Sequence, residues 1–383
     1  MIYRNQSEER RTSYLNTLSN VARLSKIFSE NTAPYLPYRA VENIYCKAFD
    51  ATNLGRSDCS ADASLNGIGI GIKTFLHKNG RSFEKIAEFN RDSHLYRDLP
   101  IREIVYKIAE LRNARIEFTL NAYGLTEMIY HCVTRKSDGS IQVYEMPMEK
   151  IDLNHIKNIA NDSPSIITFD DGINEYNFKM TKSTLYRRFN LTEDRLVASV
   201  TATILEDPYT ALDNISPALT EQTVLAQPAV QLEYVVLPLY SFRRGLSVVS
   251  PKSGRNQWNA AGRRRDPNEI YIPVPRWIHT RFPGFFPERD HPFELILPDG
   301  VALSAKICQD NGKALMSNPN KELGQWLLRD ILELPEGELL TYAKLEMLGI
   351  DSVIIEKTGV DRYSIDFRQM GTYDEFQLEH NVN

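Results

Sequence analysis

The chain has 383 residues, 42% of them hydrophobic and 25% charged, with a formal net charge of −5. That length exceeds one ordinary core and fits two domains of roughly 100 to 200 residues, while the apolar content excludes long disordered tails. Cys46, Cys59, Cys132 and Cys308 are scattered, with no C-x-x-C pair and no histidine at finger spacing, which argues against structural zinc and disulfides.

The opening MIYRNQSEERRTSYLNTLSN has no apolar run behind its basic residues, and nowhere do about 20 uninterrupted apolar residues occur. A cytoplasmic protein without membrane contact is expected. In 37–49, Val41, Ile44, Tyr45, Ala48 and Phe49 recur at the spacing of a half-buried helix, with Glu42 near its beginning. A polar, turn-rich segment follows. The alternation of Ile68, Ile70 and Ile72 then predicts a strand running into Thr74 and Phe75.

Downstream, a helix is expected over about 83–89 and another over 101–111, then strands over 115–124, 126–135 and 140–148 with turns at Gly124 and Asp138-Gly139. The run 165–180 reads as a hairpin turning at Asp170-Asp171-Gly172, followed by KSTLYRRF. Its Lys179, Lys182, Arg187 and Arg188, set among aromatics, are candidates for contact with a phosphate backbone. Pro208, Pro217, Pro228 and Pro238 break the periodicity that precedes them, which places the boundary between domains 1–234 and 235–383. Beyond it, EIYIPVP, FELILP and ALSAKIC are short apolar strands, with one helix near 321–332. Trp277, Trp326, Leu327 and Leu328 are expected to pack the core.

The charge distribution is uneven. From Arg243 to Arg289 there are ten basic residues against three acidic ones, a local electrostatic footprint for nucleic acid inside an acidic chain. In the first half, Glu42 lies on the first helix, Asp62 ends the loop before the strand, and Lys73 lies on that strand opposite the Ile72 face. Carboxylates can hold a hard, oxygen-loving cation, and a lysine beside them can orient water or steady developing charge. A helix–loop–strand unit can bring the three together.

The segment 39–90 resembles the PD-(D/E)xK restriction endonucleases through AVENIYCKAF, the Asp58/Asp62 pair, GIGIKTFL and SFEKIAEFN. In that superfamily an acid begins a strand, a second acid precedes the lysine by two positions, and a helical glutamate often completes the site. Here the two-before position is Gly71, so the resemblance implies that another carboxylate, Glu42 or else Glu84, takes its place. The resemblance implies Mg²⁺ as cofactor, with Asp62 and Glu42 as its ligands and Lys73 as the assisting base or charge. A competing match exists: His155, Lys157 and Asp162 satisfy the H-x-K-x4-D spacing of phospholipase-D-type nucleases, which cut without metal through a covalent histidine, although those motifs lie on an apolar strand and DLNHIKNIAND is expected as helix or loop.

From about 241 to 367, SGRNQWNAAGRRRDPNEIYIPVPRWIH, FPGFFPERDHPFELILPDG and KICQDNGKALMSNPNKELGQWLLRDIL are similar to the B3-like pseudobarrel at the C-terminus of certain restriction endonucleases. Two arms grip the major groove in that family. The positions matching the first arm supply Arg255, Asn256, Gln257, Trp258, Asn259, Arg263, Arg264 and Arg265; those matching the second supply Gln309, Asp310, Asn311, Lys313, Ser317, Asn318, Asn320 and Lys321. Arg can bond guanine in bidentate fashion and Asn or Gln can bond adenine, so the chemistry suits base reading.

The expectation is therefore two domains, an α/β (α+β) restriction-endonuclease-like nuclease domain plus an all-β B3-like pseudobarrel. Together they imply a type II restriction endonuclease that hydrolyses double-stranded DNA with Mg²⁺, as a homodimer when cutting, with a cognate DNA methyltransferase acting on the same site. The competing readings are the His155 nuclease and a sequence-specific DNA-binding regulator that does not cut.

Overall fold

The computed structural model describes residues 1–55, 59–163, 165–221, 232–243, 246–256 and 266–380, apart from the side chains of Asp162, 215–221 and Arg243. The chain divides into two compact units, Met1–Ile116 with Leu125–Ala229, and Glu117–Gly124 with Val230–Asn383.

In chain order the first unit carries helices α1 (Glu8–Arg23), α2 (Tyr38–Phe49) and most of α3 (Ile101–Ala122). Its strands begin with β1 (Thr52–Asn53), β2 (Ala63–Leu65), β3 (Ile68–Leu76), β4 (Arg81–Glu88), β5 (Glu127–Arg135) and β6 (Ser140–Pro147). They continue with β7 (Lys157–Ser163), β8 (Ile166–Asp170), β9 (Glu175–Lys179), β10 (Thr184–Asn190) and β11 (Leu196–Thr201). One sheet runs β1-β2-β3-β5-β6-β11 and a second runs β4-β10-β9-β8-β7.

Ser7 caps α1 by accepting from the Arg10 N–H at 3.3 Å, and Tyr14, Leu18 and Ala22 form its buried stripe. On α2, Val41, Ile44, Tyr45 and Phe49 are buried by the same periodicity. These side chains pack with Ile70 and Ile72 of β3 and with Val133, Ile141 and Val143, so both helices cover one face of the first sheet. The parallel pairing of β3 with β5 requires a crossover, and α3 lies in that connection.

Three expected elements differ. Where a helix was expected over 83–89, residues up to Glu88 form β4, because pairing with β10 from Arg81↔Asn190 to Glu88↔Thr184 outweighs local propensity. The expected strand over 115–124 is helical, since the stripe Ile104, Ile108, Leu111 and Ile116 carries the helical period past residue 111. The segment after His155, expected as helix or loop, is the edge strand β7.

The second unit carries β12 (Tyr234–Pro238), β13 (Ser241–Arg243), β14 (Leu246–Val248), β15 (Ile272–Pro273), β16 (Pro292–Ile296) and β17 (Ala302–Cys308). β18 (Ala314–Ser317), β19 (Ile350–Gly359) and β20 (Arg362–Gln369) complete it. Seven of them form one sheet in the order β12-β19-β20-β16-β17-β18-β15, antiparallel except where β16 meets β20. Its two end strands, β12 and β15, approach each other, so the sheet is a mostly-β, nearly closed barrel. Val235 and Leu237, Phe293 and Leu295, Ala305 and Ile307, Val353 and Ile355, and Ile365 and Phe367 alternate inward at the period of two. The helical run Glu322–Ile331 buries Leu323, Trp326, Leu327 and Leu328.

Candidate active site and DNA-reading surface

In the first unit, α2 and the β2–β3 hairpin position the expected acids and lysine. Glu42 is 4% exposed, on the first turns of α2. Asp62 precedes β2, where its N–H donates to the Ile70 carbonyl at 2.8 Å and its Oδ2 accepts from the Ile72 N–H at 2.7 Å. The Asp62 carboxylate therefore rests on the backbone of the residue between Gly71 and Lys73.

The electrostatics of the three residues are joined. Burial raises the Glu42 carboxyl above its ordinary value and the neighbouring Asp62 raises it further, while Arg39 and Lys73 pull it down. Burial also raises Asp62, opposed first by Lys73, then by the Ile72 N–H and by Arg39. Cys46, one turn beyond Glu42, is pushed up to about 11 by burial and then by Glu42 and Asp62, which leaves its thiol protonated and unreactive. The structure thus brings Glu42, Asp62 and Lys73 into one electrostatic cluster. Asp58 lies outside the described residues.

Packing accounts for the missing acid at Gly71. A Cβ there would come within 2.4 Å of Met148 Cε and 3.2 Å of the Tyr130 ring, so the position faces an apolar wall. Glu84, the other acid considered, lies on β4 and accepts from the Ser82 hydroxyl. Burial raises its carboxyl, and the bond from Ser82, then Lys78, Lys73 and Arg135, oppose that rise. Lys73 consequently stands within electrostatic reach of Glu84 as well as of the Glu42–Asp62 pair.

Sequence reasoning passed over Arg39. Its Nη1 lies 2.9 Å from Glu42 Oε2 and 3.0 Å from the Gly55 carbonyl. The i, i+3 spacing of Arg39 and Glu42 on a helix was the available signal.

Among the described residues no three His, Cys, Asp or Glu side chains group as a metal site. The donor set is two carboxylates with a lysine alongside. It fits Mg²⁺, which takes one or two protein carboxylates and fills its other positions with water and phosphate oxygens.

The histidine alternative is placed differently. His155 has a side chain 71% exposed, with Nδ1 2.6 Å from Asp152 Oδ2, and Lys157 is 61% exposed and 3.8 Å from Asp170. Both lie at or beside an edge strand on the surface, and the Asp162 side chain is outside the described set. Of the basic residues proposed for phosphate contact, Arg187 is buried, its Nη1 donating to the Pro147 carbonyl at 3.0 Å. Arg188 pairs with Glu175 at 2.7 Å, and Lys179 lies over the Tyr186 ring.

In the second unit, Gln257, Trp258, Asn259, Arg263, Arg264 and Arg265 fall outside the described residues. Arg255 and Asn256 are described and are buried, at 2% and 5% exposure. Asn256 Nδ2 donates to the Leu340 carbonyl at 2.9 Å, its Oδ1 accepts from the Leu340 N–H at 2.8 Å, and Arg255 Nη2 donates to Ser241 Oγ at 2.7 Å. These two side chains hold the chain entering the basic run, and both are buried rather than presented at the surface. Past that run, Arg329 donates to Asn268 Oδ1 at 2.8 Å and to the carbonyls of Pro267, Leu334 and Pro335. Gly324 is required beside it, since a Cβ would stand 1.9 Å from the Asn268 carbonyl oxygen.

The expected second arm is a strand with a loop at each end. Gln309, Asp310, Asn311 and Lys313 belong to the β17–β18 turn, whereas Asn318, Asn320 and Lys321 follow β18, roughly 13 Å away along the four residues of that strand. Asp310, Asn311, Lys313, Asn318, Asn320 and Lys321 are exposed. Ser317 is not: it is 1% exposed and its Oγ accepts from the Leu323 N–H at 2.8 Å, which gives it a structural task.

The sequence model of one family, described as the NgoFVII C-terminal B3-like DNA-binding domain, matches residues 234–358. The second unit is thus similar to the DNA-binding domain of a restriction enzyme, and its nearly closed sheet is consistent with a B3-like fold. No curated protein sequence matches the chain. Among the described residues no helix is long and apolar enough to cross a membrane.

Proposed function

We propose that the chain is a type II restriction endonuclease that hydrolyses double-stranded DNA at or near a short site, with the first unit cutting and the second reading. The observation that carries this reading is the convergence of Glu42, Asp62 and Lys73 on one α2–β2–β3 unit, in the same chain as a restriction-enzyme type of DNA-binding domain. Two carboxylates desolvated beside a lysine, Glu42 buried and Asp62 half-buried, are costly to a fold and are commonly retained for chemistry.

Glu42 and Asp62 would hold Mg²⁺, which when bound polarises the scissile phosphate and lowers the pKa of a water. Asp62 is held in place by the Ile72 N–H. Lys73 stands beside the pair to orient the attacking water or to balance charge as the phosphorane-like transition state forms. In the second unit, Asp310, Asn311, Lys313, Asn318, Asn320 and Lys321 present the exposed polar groups, with Gln309 beside them, and the basic run 257–265 supplies arginines for guanine and the phosphate backbone. One such active site cuts one strand, so the chain acts as a homodimer when both strands are cut. A methyltransferase protecting the same site accompanies it in the cytoplasm.

The test is incubation of the purified protein with a long duplex of mixed sequence in Mg²⁺ or in EDTA. Discrete fragments in Mg²⁺ alone are expected. Fragments persisting in EDTA would move the chemistry to His155, and retention of particular fragments without cutting in either condition would make the chain a DNA-binding regulator.

A further inference from the structure

We propose that Arg39 is a resident counter-ion of the Glu42–Asp62 pair, which a divalent cation must displace from Glu42 in order to load the site. The inference rests on the assignment of those two acids as cation ligands.

Arg39 lies one turn before Glu42 on α2, and its Nη1 reaches Glu42 Oε2 at 2.9 Å. The Glu42 side chain is 6% exposed and that of Arg39 is 52% exposed, so the guanidinium covers the solvent side of a buried carboxylate. The same nitrogen donates to the Gly55 carbonyl at 3.0 Å. A Cβ on Gly55 would come within 2.6 Å of Arg39 Nη1 and 3.3 Å of Glu42 Oε2, so the loop backbone passes directly against the ion pair. The guanidinium therefore has a seat formed by α2 and the loop that leads to Asp62.

Two like charges in partial burial need a cation between or beside them. Arginine supplies one at every accessible pH, because it does not deprotonate. Its weakness as a permanent partner is its exposure: a half-exposed pair is worth little and can be exchanged. A magnesium or calcium ion bonds carboxylate oxygens directly, and Glu42 Oε2 cannot serve it at full strength while accepting the hydrogen bond from Arg39.

The experiment follows thermal unfolding of the full chain in EDTA and across a titration of Ca²⁺ or Mg²⁺, for wild type, Arg39→Met, Arg39→Lys and Glu42→Gln. Arg39→Met is expected to melt below wild type in EDTA and to reach half its cation-induced shift at about five-fold lower cation concentration, the equivalent of removing a competing pair of about 1 kcal/mol. Arg39→Lys, which keeps the charge and loses the planar fork, should fall between them, and Glu42→Gln should lose the shift. An Arg39→Met midpoint equal to or above that of wild type overturns the proposal, as does a wild type and Arg39→Met that neither cation stabilises. The nuclease reading is judged separately by cutting. Wild-type cleavage in Mg²⁺ with an unchanged Arg39→Met midpoint leaves the nuclease and removes the counter-ion, whereas a lowered midpoint without cleavage leaves the counter-ion and removes the nuclease.

Discussion

The two units bury polar side chains on different terms. In the second, Asn256 is bonded on both sides of its amide to Leu340, and Ser317 accepts from Leu323. In the first, a buried Glu42 and a half-buried Asp62 lie near each other so that desolvation raises both carboxyls, and Arg39 and Lys73 only partly offset this. A buried neutral group that finds its partners on the backbone fixes loops, since leaving those partners unpaired is expensive. A buried pair of like charges stabilises nothing by itself, and apolar residues would serve the fold as well or better. The arrangement in the second unit is architecture, and that in the first is the one we propose serves chemistry.

Substitutions on each side should separate these roles. The largest effect is expected for Asp62→Ala, which should reduce cleavage on the order of 10³-fold or more, several kcal/mol of barrier, while retention of specific DNA is unchanged. Single-turnover cleavage alongside a filter-binding measurement would show whether the two properties part in this way. Lys73→Ala should slow the same reaction by about 10² to 10³ without altering binding. On the other side, Asn256→Ala strands the Leu340 N–H and carbonyl, and should cost about 1 to 3 kcal/mol of unfolding free energy, read by denaturant titration, together with a loss of DNA retention. Were Asn256→Ala to leave stability intact and alter only base preference, Asn256 would be a reader after all.

The pH dependence sharpens the contrast. Because Glu42 and Asp62 are raised, the native chain holds protons there that the unfolded chain has released. That contribution to stability is fully present below the ordinary carboxyl range and is lost as pH rises through the raised values. In EDTA the melting temperature should fall across this window, and Glu42→Gln should flatten the fall. Cleavage should run the opposite way, rising through the same window as the carboxylates ionise. The smallest effect is expected for His155→Ala, whose exposed ring pairs with Asp152, and its cleavage should match wild type.

The residues of the candidate site were legible where each stands on an element with a strong local period. The stripe on α2 and the isoleucine alternation on β3 fix which way Glu42 and Lys73 are carried. Arg39 was passed over although its i, i+3 spacing from Glu42 was legible, while its second partner, the Gly55 carbonyl, lies in a loop whose return path spacing does not give. The glycine at 71 is explained only by Met148 and Tyr130, contributed from the segment after β6 and from β5. Strands β4 and β7 were misread for a related reason, since each is a strand through a partner rather than through its own alternation. In the second unit, the motifs marked the barrel, yet Asn256 and Ser317 lie in polar runs that look like surface. What buries Asn256 is a backbone 84 residues away.

The most direct test of the central claim compares wild type with Asp62→Asn on a duplex whose bound site has been mapped by footprinting. Protection of the same bases by both proteins, with strand scission at or near them by wild type in Mg²⁺ and none by Asp62→Asn, is the predicted result. Scission by Asp62→Asn at the wild-type rate would contradict it and place the cutting chemistry elsewhere in the chain.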